Sequence, residues 1–173
     1  MFTSPFSLLA KTACIACVVL LAACSPKFDW REVRGSAAPF VVLLPAKPAS
    51  HTRTVNLDGI EVSMTMTAAD VDGVTFAVGT AELPDEAKAL QALTAMKTAL
   101  VRNIGGSVRK ETASASGAVP TTIDIEAAGA NSRVLFGRFV ANGKRVYQVI
   151  AVGKESALPR EAVDTFLTSF KLN

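Results

Sequence analysis

The chain is short of the residues that do chemistry. Of its 173 residues, three are cysteine and one is histidine. Cys14 and Cys17 stand in an apolar leader segment, so their Cys-x-x-Cys spacing is an accident of that segment and not a redox or metal pair. A single histidine excludes the common zinc sites. A Ser-His-Asp arrangement would need His51 itself, and no G-x-S-x-G elbow is present. His51 sits in Pro48-Ala49-Ser50-His51-Thr52 and is expected as an exposed loop histidine. Charge of one sign is also lacking. Lys plus Arg number 18 and Asp plus Glu 15, and the small excess is scattered. Neither nucleic-acid binding nor strong membrane-surface attraction is implied.

What is there begins at the N-terminus. Lys11 precedes an apolar run from Cys14 to Leu20, and Leu21-Ala22-Ala23-Cys24 closes it. The run is shorter than the roughly 20 residues that span a bilayer, and Ser25-Pro26-Lys27 ends it abruptly. The layout is that of a secretory signal peptide. Small residues followed at once by cysteine resemble the lipobox of bacterial lipoproteins. That resemblance implies cleavage between Ala23 and Cys24, with Cys24 acylated as the first mature residue. Acylation consumes its thiol, so the mature chain is expected to hold no disulfide, no thiol nucleophile and no thiolate ligand. Residues 1–23 then form the signal peptide, 24–38 a lipidated tether and 39–173 one globular domain. The remaining 150 residues suit one core of useful size. Phe28 and Trp30 in the tether are expected either to dock on the domain or to sit among lipid head groups.

The domain reads as strands, helix, strands, helix. Residues 40–44 are a continuous apolar run, a strand buried on both faces. Residues 46–50 are expected as a loop and 52–56 as a strand. Asp58-Gly59 and Asp72-Gly73 mark hairpin turns. Between them, Ile60, Val62, Met64, Met66 and Ala68 alternate with Glu61, Ser63, Thr65 and Thr67, one face to the core and one to water. Residues 74–81 alternate large Val74, Phe76 and Val78 with Thr75, Ala77, Gly79 and Ala81. The small face predicts close approach of a helix.

Pro84-Asp85-Glu86 opens that helix. Leu90, Leu93, Met96, Leu100 and Ile104 form its stripe, and Gly105-Gly106 ends it. Nothing like G-x-x-x-x-G-K-[ST] surrounds the glycines. Residues 107–115, 121–127, 133–140 and 144–152 are further strands, the last two joined at Asn142-Gly143. Pro159 opens a second helix with Val163, Phe166, Leu167 and Phe170 buried. The fold class expected is α+β, a mainly antiparallel sheet packed with two main helices.

Few groups in this arrangement are candidates for chemistry. Met64 and Met66 read as core packing rather than a copper site, or, with Phe76, as the lining of a pocket for a small apolar ligand. Asp70, Asp72, Glu82, Asp85 and Glu86 lack the Asp-x-Asp-x-Asp-Gly form and read as turn and cap residues. Arg133 and Arg138 differ by an odd number, so they point to opposite faces of one strand.

Asp29-Trp30-Arg31-Glu32-Val33, Val42-Leu43-Leu44-Pro45-Ala46-Lys47-Pro48 and Phe166-Leu167-Thr168-Ser169-Phe170-Lys171 resemble a family of small uncharacterised lipoproteins of Gram-negative bacteria. With the strand order, the chain is similar to the PsbP/Mog1-like α/β/α sandwich. The resemblance implies a scaffold for binding and accessory proteins and lends no catalytic residue. Ser25 after Cys24 resembles lipoproteins sorted to the outer membrane. The resulting expectation is a non-enzymatic envelope module facing the periplasm. It has no cofactor or metal, it is held to the membrane by acyl groups, and it binds another envelope protein. The alternatives are a carrier or sensor of a small apolar ligand, and an enzyme using the carboxylates of residues 70–86. The small-residue surface at Ala77 and Gly79 is the expected contact face if no helix covers it.

Overall fold

The computed structural model describes residues 27–36 and 38–173. The leader, the Ala23–Cys24 cleavage site and Ser25 lie outside the described residues. Among the described residues there are ten strands and two α-helices. The helices are α1 (Glu86–Asn103) and α2 (Arg160–Ser169). Strands β1 (Arg31–Arg34), β2 (Phe40–Leu44) and β10 (Lys171–Leu172) make a small antiparallel sheet with β2 in the middle. The large sheet has the order β3-β4-β5-β9-β8-β7-β6. Its strands are β3 (Ala49–Leu57), β4 (Ile60–Val71), β5 (Val74–Glu82), β6 (Ser107–Ala113), β7 (Thr121–Ala128), β8 (Arg133–Asn142) and β9 (Arg145–Lys154). Every neighbouring pair is antiparallel. The class is α+β, as expected.

Hairpins build most of this sheet. Asp58 and Gly59 (φ 52° and 85°) and Asp72 and Gly73 (φ 50° and 76°) are left-handed at both central positions. That geometry matches the right-handed twist of the flanking strands. The third tight turn falls on Gly143-Lys144, because Asn142 still pairs with Arg145. The one non-local join is β5 with β9, from Thr75 opposite Val152 to Glu82 opposite Arg145. It places the last hairpin at the centre of the sheet.

Period two along each strand splits the core into two layers. On one face Val62, Met64, Ala77, Ala81, Ile125, Leu135, Phe139 and Ile150 meet Ala89, Ala92, Leu93 and Met96 of α1. The small face of β5 is thus covered by a helix, as its alanines predict. Asp85 caps α1, accepting the Lys88 N–H at 2.8 Å. Leu90, expected in the buried stripe, is 48 % exposed. Ala89 takes the inward position instead, since small side chains line both sides of this contact.

The other face carries the aromatics. Phe76, Tyr147 and Val149 meet Phe40, Phe166 and Phe170 from β2, α2 and the C-terminal segment. Phe28 and Trp30 close the layer, each with its ring 6.2 Å from Phe76 and edge-on to it. The sequence leaves docking on the domain and a seat among lipid head groups open for these two rings, and here they dock. From Phe28 onward the chain is part of the fold, and β1 pairs with β2 from Arg31 opposite Leu44. The hydrophobic payload of two large rings explains the docking. Strand β10 also goes beyond the sequence reading. Phe170 leaves the helix in extended conformation (φ −68°, ψ 125°), and Lys171 pairs with Val41.

Candidate functional site

The expected site residues are dispersed by this topology. Met64 and Met66 lie on the α1 face of β4, and Phe76 lies on the opposite face of β5. The three do not line one pocket. Period two decides this: Ala69, an odd residue of β4, is opposite Phe76, whereas Met64 and Met66 are even. Gly79 stands between Met66 and Gln148, and a Cβ there would run into both side chains. Its absence lets the Gln148 amide donate to the Met66 sulfur at 3.3 Å. Ala77 and Gly79 are buried, so the surface expected there is not available to a partner.

The five carboxylates also fail to converge. Asp70 accepts the Thr75 hydroxyl, and Asp72 pairs with Lys27 at 3.3 Å. At the far end of β5, Glu82 pairs with Arg145, and Asp85 is spent on the helix cap. Asp70 lies opposite Thr75, which is seven strand steps from Glu82, about 23 Å at the usual rise. No glycosidase-like pair can form across that distance. Among the described residues there is no group of three metal-ligating side chains. His51 is in β3, not in a loop: the strand starts at Ala49 and places His51 opposite Met66, exposed to solvent.

Arg133 and Arg138 do point to opposite faces, as the odd spacing requires. Arg138 is fully engaged. Its Nε and Nη2 donate to the two oxygens of Asp124 at 2.8 and 2.9 Å, and Nη1 donates to the Leu167 carbonyl at 3.1 Å. The Asp124 hydrogen bonds raise its pKa further above the ordinary arginine range. Arg160 lies over the Phe136 ring, 4.7 Å from its centroid, and donates to Glu126 at 2.9 Å. These groups line an open groove of about 260 Å³ between α2 and strands β6 to β8. Its charges cancel in pairs, so the groove presents little net field to a ligand.

The two edges of the large sheet are built differently. Edge strand β6 carries Arg109, Lys110 and Glu111, and its register shifts between Val108 and Lys110. Charge and a bulge are the ordinary means of blocking edge-to-edge pairing. Edge strand β3 has neither a bulge nor a charge run. Its nine residues pair with β4 without interruption, from Ala49 opposite Ala68 to Leu57 opposite Ile60. Six of its first seven side chains are exposed. Ser50 and Thr52 point to one face and hydrogen-bond Thr67 and Thr65 at 2.9 and 2.8 Å. His51 and Arg53 point to the other, opposite Met66 and Met64. Arg53 makes no ion pair among the described residues. The outer side of β3 therefore offers a straight row of backbone donors and acceptors with one free cation beside it. It is an accessible recognition element on the described surface. The signal for it in the sequence was the hydroxyl alternation of residues 50–54. Reading it required knowing that β3 ends the sheet.

No model of a known protein family matches the chain, and no curated protein matches it significantly.

Proposed function

We propose that the protein is a non-enzymatic module of the cell envelope that holds an extended segment of another envelope protein along β3. It is acylated at Cys24 and faces the periplasm from the outer membrane. The observation that carries the binding reading is the nine-residue unbulged edge, set against the bulged and charged edge of β6. Strand addition takes its affinity from main-chain hydrogen bonds and its selectivity from alternate side chains. On one face His51 and Arg53 favour an acidic side chain of the guest. On the other, Ser50, Thr52 and Thr54 favour polar groups. The anchor is supported by Leu21-Ala22-Ala23-Cys24, and its sorting by Ser25.

Photo-cross-linkers placed singly at positions 50 to 56 of the full chain in cells test this reading. Added-strand pairing gives one partner, with the linked residue in that partner moving stepwise as the probe moves along β3. Arg53→Glu abolishes capture and Lys110→Glu on the other edge preserves it. Links scattered over the partner, or equal loss with both substitutions, would overturn the proposal.

A further inference from the structure

Arg133 and Lys154 stand directly opposite each other on β8 and β9, with their side chains on the same face. Like charges in that position are destabilising. Neither side chain makes a hydrogen bond or ion pair among the described residues. Both are exposed, and they line an open cavity of about 320 Å³ together with Gly73, Asn131 and Gly153. Asn131 and its neighbour Ser132 hold left-handed backbone at φ 55°, an uncommon conformation for residues other than glycine. The nearest acid along the strand, Glu155, is committed to Arg109 at 3.2 Å. Two uncompensated cations flank one concavity.

Its place in the fold identifies what it meets. Gly73 belongs to the same turn as Asp72, which pairs with Lys27. Lys27 also reaches the Ala157 carbonyl at 3.5 Å, three residues beyond Lys154. Lys27 is therefore fixed between the two loops that border the cavity. Cys24 precedes it by three residues, at most about 11 Å of extended chain. Phe28 and Trp30 then dock on Phe76, so little slack follows. The cationic end of the sheet is the end at which the chain leaves for its anchor. Lys47, between β2 and β3, adds a further exposed cation without an ion pair among the described residues.

We infer that the cavity between Arg133 and Lys154 takes the phosphate of a lipid head group and thereby sets the domain's orientation on the membrane. A guanidinium and an ammonium across a concavity suit a phosphate by charge and by donor geometry. Basic side chains at an anionic surface each add a similar increment of binding. The inference rests on the anchored reading of Cys24 for its geometry, and its test does not use acyl groups.

The chain from residue 24 is produced as Cys24→Ser, which cannot be acylated. It is co-sedimented with vesicles of phosphatidylcholine alone and of phosphatidylcholine with phosphatidylglycerol. Binding to the anionic vesicles is expected to fall about 30-fold in Arg133→Gln/Lys154→Gln, the loss of two basic contacts. The exposed pair Lys88→Gln/Lys144→Gln is expected to change it little. The first double variant is expected to melt no lower than the parent, because it removes a like-charge pair. Equal loss with both double variants, no loss with either, or a lowered melting temperature overturns the inference. Inorganic phosphate followed by amide NMR separates the sources. Shifts at Asn131 and Arg133 with vesicle binding unaffected by Arg133→Gln/Lys154→Gln mean a free phosphate compound, and overturn the lipid assignment. An unmodified Cys24 in the mature protein from cells, read by mass spectrometry, overturns the anchor alone.

Discussion

On one face of the large sheet the core is rich in aromatic rings and assembled from distant pieces of chain; on the other it is mainly aliphatic, with Phe139 among it, and closed by a single helix. The aromatic layer collects Phe28 and Trp30, then β2, then α2 and Phe170 around Phe76 and Tyr147. The helical layer sets Ala89 and Ala92 against Ala77 and Ala81. Small residues bring a helix axis close, so α1 needs no other support. Large rings reach across a wider gap, so the small sheet of β1, β2 and β10 and helix α2 are held against the large sheet without pairing with it. The difference teaches which layer holds the N-terminal end of the described chain: only the aromatic face grips the residues just after Lys27.

The sharpest way to break this comparison is to remove one large side chain from each layer. Phe76→Ala removes the ring that Phe28, Trp30 and Phe166 all touch and is expected to cost about 3–5 kcal/mol. Leu93→Ala, fully buried under α1, is expected to cost about 2–5 kcal/mol. Denaturant midpoints measure both. Trp30 is the single tryptophan, so its emission separates them. In the folded state it shifts to the red in Phe76→Ala and stays put in Leu93→Ala. A shift in both variants would mean that the layers are not independent.

A smaller effect is expected at the seam where the helical layer meets buried polar groups. Gly79→Ala forces a methyl against the Met66 sulfur and the Gln148 side chain. Overpacking of this kind costs about 1–3 kcal/mol. The Trp30 emission of the folded variant should match the parent, because Gly79 faces α1. Unchanged stability would show that Met66 moves aside freely.

Much of this division is legible in the chain. Alternation along residues 60–68 and 74–81 assigns each side chain to a face, and Asp-Gly pairs fix two hairpins. The small face of β5 predicts its helix. What sequence cannot supply is which strands become neighbours. Phe76, Met64 and Met66 are all apolar and near in sequence, yet parity puts Phe76 on the face opposite the two methionines. Pro48 suggests a loop at His51, whereas pairing with β4 extends the strand back to Ala49. Trp30 and Phe28 carry no periodic signal, since a docked segment obeys the shape of its receptor and not a repeat of its own. The cationic end was hidden by a balanced total charge. Arg133 and Lys154 are 21 positions apart, and only the β8–β9 register brings them together.

The last test asks whether the aromatic layer is dry. Tyr147 is 1 % exposed and lies between Phe40 and Phe170. Burial pushes its phenol above the ordinary value near 10, and nearby Arg145 offsets this only in part. The neutral form is therefore favoured in the folded state. Below about pH 10 the phenol is neutral in both states, and its contribution to stability is fully present. As the pH rises through 10 the unfolded phenol ionises first. Stability then falls until the folded phenol titrates as well. As this is the single tyrosine, its tyrosinate absorbance reads it directly. The folded protein should titrate above the chain in denaturant, with the denaturant midpoint dropping over the same alkaline range. In Phe76→Ala, where water reaches the layer, the folded midpoint should move back toward the unfolded one. In Leu93→Ala it should stay high, because that cavity opens on the other side of the sheet.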